Sequence, residues 1–66
     1  MSRMREIRTS LGWSQARLAR EAGVTEKAVS RWELRGVEHA ELAVMARVAR
    51  ALGVPMEELL DGREDG

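Results

Sequence analysis

The sequence predicts an all-α fold, a compact bundle of five short helices. Apolar residues recur at spacings of three and four, β-branched residues never alternate with polar ones, and glycine or proline interrupts each apolar stretch. A chain of 66 residues without cysteine and with one histidine has neither disulfides nor an obvious zinc site to stabilise it, so close helix packing must do so. We predict one domain over residues 1–60 and a mobile acidic tail over residues 61–66.

The first two helices are each ended by a glycine, and the second also begins at a serine N-cap. Helix one is predicted from about Ser2 to Leu11, with its apolar face at Met4, Ile7 and Leu11 and an end at Gly12. Helix two is predicted to begin after an N-cap at Ser14 and to end at Gly23.

The last three helices follow the same logic. Helix three is predicted from an N-cap at Thr25 to about Arg35, before Gly36. Helix four is predicted over residues 40–52 and helix five from about Pro55. The predicted buried stripe of helix four consists of Leu42, Met45, Val48, Ala49 and Leu52.

Charge is unevenly distributed along a chain whose formal net charge is zero. Residues 1–35 carry eight Arg/Lys and four Glu, which gives +4, whereas residues 36–66 carry three Arg and seven acids, which gives −4. A polyanion responds to the local field over about 8–10 Å and not to the total charge. The first half is therefore the candidate binding half, with a merely solvated basic face as the alternative.

Helices two and three are joined by a very short turn, which predicts a helix-turn-helix unit whose second helix enters the major groove of DNA. Such pairs of helices also occur in plain helix bundles, which is the alternative. At 100° per residue, helix three separates into two faces. Its outward face carries no Asp or Glu, as a surface that meets phosphates requires. The outward residues are Lys27, Ser30, Arg31 and Leu34, and the inward residues are Thr25, Val29, Trp32 and Glu33.

Over residues 4–60 the chain resembles the phage repressor and Cro family, also called Xre-type or lambda-repressor-like domains. The resemblance implies a five-helix domain that binds a two-fold symmetric operator in double-stranded DNA as a homodimer, one that forms either in solution or only on DNA. It is carried by Arg8, Gly12-Trp13-Ser14-Gln15, Leu18-Ala19, Ala22-Gly23-Val24-Thr25, Val29-Ser30-Arg31-Trp32-Glu33, Gly36, Leu42, Ala49-Arg50-Ala51-Leu52-Gly53-Val54 and Glu58-Leu59-Leu60.

The resemblance also implies roles for individual residues. Gln15 corresponds to the family's phosphate-contacting glutamine, and Glu26, Lys27 and Arg31 to its base-reading positions. Arg31 can donate two hydrogen bonds to guanine, and Lys27 can do so or hold a phosphate. Glu26 can accept from cytosine or bond to Gln15 within the protein. An ordinary solvent-exposed role remains the alternative for each.

Other candidates complete this set. Ser30 is a weaker candidate for a base or phosphate contact, and Thr25 and Arg35 lie at the two ends of the same helix. The family pairs the positions of Arg8 and Glu33 in an internal salt bridge, so we interpret both as structural. Trp13 and Trp32 are assigned to packing and not to base stacking.

Dimerisation is assigned to helix five. The candidate residues are Met56, Leu59 and Leu60, which either form a dimer contact or close the core.

Two departures from the family pattern are present. Leu34-Arg35 adds one residue before Gly36, which is expected to lengthen or distort the end of helix three. The following loop carries Glu38 where many relatives are basic, and with the zero net charge this predicts weak, salt-sensitive non-specific binding.

Catalysis is not expected. His39 has no second strong ligand nearby, Ser14 and Ser30 lack a histidine base, and no phosphate-binding glycine loop occurs. We expect no cofactor, metal, small-molecule effector or membrane span, and a cytoplasmic location. The alternative function is a protein-interaction module, such as an antitoxin or adaptor, that uses the same fold to bind a protein.

Overall fold

The computed structural model describes residues 2–60, and the predicted acidic tail at residues 61–66 lies outside them. These residues form five α-helices and no strand. None of the five helices is both long enough and apolar enough to cross a membrane. The helices are α1 (Arg3–Ser10), α2 (Gln15–Ala22), α3 (Glu26–Arg35), α4 (Leu42–Leu52) and α5 (Met56–Leu60).

The first three helices begin where a hydroxyl side chain satisfies a free backbone N–H group. Ser2, Ser14 and Thr25 have extended backbones, and each side-chain oxygen accepts a hydrogen bond from the amide three residues later. Such a cap is typically worth about 1 kcal/mol. Since the interaction spans only three residues, the caps at Ser14 and Thr25 were correctly predicted from the sequence alone, whereas Ser2 was predicted as the approximate first residue of its helix and not as a cap.

The turn between α2 and α3 depends on Gly23. This residue has φ 73° and ψ 34°, the left-handed conformation that L side chains rarely adopt. The next residue, Val24, donates its backbone N–H to the carbonyl of Ala19 at 2.9 Å, which closes the end of α2. Only residues 23–25 separate α2 from α3, and the two helices pack against each other.

All five helices contribute to the core, in which α2 packs on both α3 and α4 and α5 packs on both α1 and α4. Leu18, Val29, Met45 and Val48 are fully buried. Val37, in the loop after α3, is also buried, although no helical periodicity indicated it. The remaining buried apolar residues are Met4, Ile7, Ala19, Ala22, Trp32, Ala49, Leu52 and Leu59.

Two predicted core residues are exposed instead. Helix α4 begins at Leu42 and not at residue 40, and this leucine is 64% exposed. Leu42 lies one turn before Met45, at the end of the helix, where no other helix covers it. Leu11 is likewise 46% exposed, because it caps the end of α1 beyond the packed face of that helix.

Candidate nucleic-acid interface

The outward face of α3 is exposed to solvent. Lys27, Ser30, Arg31 and Leu34 are all exposed, and Leu34 reaches 80% exposure. At about 1.5 Å per residue, Lys27 and Leu34 lie roughly 10 Å apart along the helix axis. This distance corresponds to about three base-pair steps of B-form DNA. The face is therefore available and of a size to contact several consecutive base pairs.

The other predicted contact residues of α3 lie at its two ends. Glu26 and Arg35 are the first and last residues of the helix, and both are exposed. Thr25 is exposed too, but its hydroxyl oxygen already accepts the backbone N–H of Ala28 at 3.0 Å. Thr25 is thus first a helix cap, with its hydroxyl hydrogen still available to an acceptor.

Beneath this face, Arg8 of α1 and Glu33 of α3 form a bidentate ion pair. Arg8 Nε lies 2.6 Å from Glu33 Oε2, and its second terminal nitrogen lies 2.9 Å from Glu33 Oε1. The remaining guanidinium nitrogen donates to the carbonyl of Trp13 at 2.8 Å. With side-chain exposures of 10% and 5%, the pair is nearly enclosed, and it fixes α1 against α3.

Gln15 joins this pair from the start of α2. Its amide nitrogen Nε2 donates to Glu33 Oε1 at 2.9 Å. The partner of Gln15 within the protein is therefore Glu33, which corrects the alternative that Glu26 fills this role. Glu26 lies on the exposed first turn, whereas Glu33 faces inward, where Gln15 can reach it. Arg8 from α1 and Gln15 from α2 thus both bind the carboxylate that Glu33 supplies from α3.

The titration of Glu33 reflects these contacts. Burial by itself raises the pKa of the Glu33 carboxyl, but the hydrogen bonds from Arg8 and Gln15 outweigh it and hold the pKa below its ordinary value. The hydrogen bond to Glu33 in turn raises the pKa of Arg8. Both groups are consequently charged at neutral pH, and their charges cancel within the protein.

The additional residue before Gly36 extends α3 instead of distorting it. The helix runs regularly to Arg35, and Gly36, with φ 99°, donates its backbone N–H to the carbonyl of Trp32 at 2.8 Å. The buried side chain of Val37 then anchors the loop, while Glu38 remains exposed.

The predicted dimerisation residues on α5 divide into two groups. Leu59 is only 4% exposed and belongs to the core, so its assignment to a dimer contact is corrected: the packing of α5 on α1 and α4 already covers it. Met56 and Leu60 are half-buried against the core and keep part of their surface exposed.

One cation near this surface escaped the sequence analysis. Arg5, on α1, borders a depression that Gln15 and Ser30 also line. The available signal was its spacing of three from Arg8, which places both residues on neighbouring parts of one helix face.

Comparison with known proteins gives a consistent result. A helix-turn-helix family profile matches residues 4–59. A solved structure of a hypothetical transcription factor, NHTF, from Neisseria is 38% identical, with a TM-score of 0.79, and the match covers 88% of this chain and 66% of that one. The restriction-modification controller protein C.AhdI from Aeromonas hydrophila is 37% identical, with a TM-score of 0.78, over 86% of this chain and 85% of that one. No curated protein sequence matches significantly.

Proposed function

Since the chain belongs to the Xre-type helix-turn-helix family and has its lambda-repressor-like five-helix fold, we propose that it is a sequence-specific DNA-binding transcriptional regulator. In this proposal α3 enters the major groove and α2 lies across the DNA backbone. The protein acts by binding and not by catalysis. The similarity to the Neisseria transcription factor and to the restriction-modification controller supports a regulatory role.

The observation that carries the proposal is the exposed, acid-free outward face of α3. Its two cations, Lys27 and Arg31, are exposed, and neither forms an ion pair with residues 2–60. An inward-facing carboxylate, Glu33, is neutralised by Arg8 and so does not repel phosphate. A helix whose outward face carries unpaired cations, and whose inward carboxylate is paired with an arginine, is suited to contact with a polyanion.

Individual roles follow from position. Arg31, near the middle of the face, is the best candidate for a bidentate contact to guanine, and Lys27 contacts a neighbouring base or a phosphate. Glu26, exposed on the first turn and not bonded to Gln15, is available to accept from cytosine. Gln15 retains a second amide hydrogen beyond the one that it donates to Glu33, and this hydrogen contacts a phosphate.

We propose further that the protein is a homodimeric repressor of phage or mobile-element type and that it binds a two-fold symmetric operator. The partly exposed apolar surface of Met56 and Leu60 supports a dimer contact at α5. Two copies related by a two-fold axis then present two α3 helices to half-sites one helical turn, about 34 Å, apart.

Selection of bound sequences from a random duplex library tests the proposal. Recovery of a consensus with two inverted half-sites supports both sequence-specific binding and the dimer, and a consensus with one half-site retains the regulator but contradicts the dimer. A parallel titration against random duplex at about 50 mM salt measures the electrostatic part of binding. Absence of binding in both experiments contradicts the proposal and favours the protein-interaction module.

A further inference from the structure

Leu34 is the most exposed large apolar side chain within residues 2–60. It is 80% exposed, whereas Leu42 and Leu11 are 64% and 46% exposed. A leucine in this position adds little to the stability of the free protein, because its apolar surface stays in contact with water. The surroundings of Leu34 therefore indicate what the side chain contacts in a complex.

Leu34 belongs to the outward face of α3, which also carries Lys27, Ser30 and Arg31. Lys27 and Leu34 are about two helical turns apart, so their side chains leave the helix in nearly the same direction. The regular course of α3 as far as Arg35 keeps Leu34 on this face. The face thus combines two cations that form no ion pair within residues 2–60, a hydroxyl and one apolar side chain.

The apolar surface of this face is limited to the Leu34 side chain. Its neighbours on the face, Ser30 and Arg31, are polar, and the next residue, Arg35, is an exposed cation. A protein partner requires a contact of about 800 Å² on each side, with few charges at its centre. The edges of base pairs in the major groove present one isolated apolar group, the C5 methyl of thymine, among hydrogen-bonding groups. A single leucine among cations matches the thymine methyl and not a protein surface.

We propose that Leu34 contacts the C5 methyl group of a thymine and so acts as a specificity-determining residue of the DNA-reading face. The proposal rests on the proposed function and extends base reading beyond Arg31 toward the end of α3. Leu34 follows Arg31 by about 4.5 Å along the helix axis, close to the ~3.4 Å rise of one base-pair step. The thymine should therefore lie in a base pair next to the guanine that Arg31 contacts.

Replacement of thymidine by deoxyuridine tests this contact, because deoxyuridine still pairs with adenine and lacks only the methyl group. Each thymidine of the duplex recovered by library selection is replaced in turn, and the affinities of wild type and Leu34→Ala are measured. At the contacted thymine the replacement should weaken wild-type binding about fourfold, the effect of exposing one methyl-sized apolar group. The same replacement should leave the affinity of Leu34→Ala unchanged, because this variant has already lost the contact.

Leu42→Ala is the matched control, since Leu42 is also an exposed leucine but lies at the start of α4. This variant should keep the wild-type response to deoxyuridine. Because both leucines are exposed, both variants should remain folded, which thermal melts verify. Library selection repeated with Leu34→Ala should return the wild-type consensus with the thymine preference lost at one base pair of each half-site.

Two results would overturn the proposal: no thymidine replacement weakens wild-type binding, or Leu34→Ala responds to every replacement as strongly as wild type does. In both cases a consensus recovered by the wild-type protein leaves the proposed function intact. Unchanged affinity of Leu34→Ala for every duplex also overturns the proposal and leaves Leu34 available to a protein partner. If the wild-type protein selects no consensus, both proposals fail together.

Discussion

Arg8 and Glu33, which are 25 residues apart in the sequence, form a bidentate ion pair with Nε–Oε2 and nitrogen–Oε1 distances of 2.6 and 2.9 Å. The pair joins the first helix to the helix that carries the proposed DNA-reading face. It is nearly enclosed, and Gln15 and the Trp13 carbonyl complete its hydrogen bonds. Its geometry therefore bears on both the stability of the domain and the position of the reading face.

Breaking this pair from one side should destabilise the domain strongly. Glu33→Leu leaves the Arg8 guanidinium buried without its counter-charge, and we expect a loss of about 3–5 kcal/mol in the free energy of unfolding. The double variant Arg8→Met/Glu33→Leu should recover most of this loss, because two apolar side chains replace both charges. Urea denaturation followed by circular dichroism measures the free energy of unfolding of the single and double variants. A double variant that is no more stable than Glu33→Leu would contradict the coupling between Arg8 and Glu33.

Protonation of the Glu33 carboxylate should make the free energy of unfolding depend on pH. The pKa of Glu33 is lower in the folded protein than in the unfolded chain, so below the unfolded value of about 4.3 the unfolded state binds the proton first. The contribution of Glu33 is then fully present above that pH and is lost as pH falls through the folded pKa. Denaturation of wild type and Glu33→Gln between about pH 3 and pH 7 tests this, and a curve equally steep in the variant would exclude Glu33 as the cause.

Arg31 and Gln15 should respond differently to truncation. We expect Arg31→Ala to cost about 1–3 kcal/mol on the preferred site and to relax the preference at one base pair. Gln15→Ala should weaken binding similarly on all sequences, because it removes a backbone contact. Affinities for a panel of single-base-pair variants of the selected site make the comparison. Uniform losses for Arg31→Ala would reassign it as a phosphate contact.

Two exposed leucines offer a matched test of the reading face. Leu34→Glu introduces a carboxylate on the outward face of α3, and we expect it to weaken DNA binding by about tenfold or more through repulsion of phosphate. Leu42→Glu makes the same change on α4 and should leave affinity nearly unchanged. Since the leucines are 80% and 64% exposed, both variants should retain stability within about 0.5 kcal/mol. Equal effects on binding would indicate that α3 does not face the DNA.

Leu59 should behave as a core residue and not as an interface residue. Leu59→Ala removes a side chain that is 4% exposed, so we expect a loss of about 2–5 kcal/mol in unfolding free energy. The loss should be independent of protein concentration. Thermal melts at several concentrations check this, since a loss that appears only at high concentration, where a dimer is populated, would restore Leu59 to the interface.

The sequence alone determined where α2 and α3 begin and end and which face of α3 carries cations. The caps at Ser14 and Thr25 and the turn at Gly23 depend on interactions within three or four residues, so local chemistry decides them. The pairing of Arg8 with Glu33 was expected from a family resemblance, since periodicity cannot relate residues on different helices.

Tertiary packing alone decided which apolar residues are covered and which donors meet. Leu42 has the spacing of a core residue, yet no other helix covers it, whereas Leu59 is buried. Gln15 donates a hydrogen bond to Glu33 and not to Glu26. Periodicity fixes the direction in which a side chain points from its own helix. Whether another helix lies in that direction depends on the angles and lengths of all five helices together, and the same packing places Arg5 beside Gln15 and Ser30.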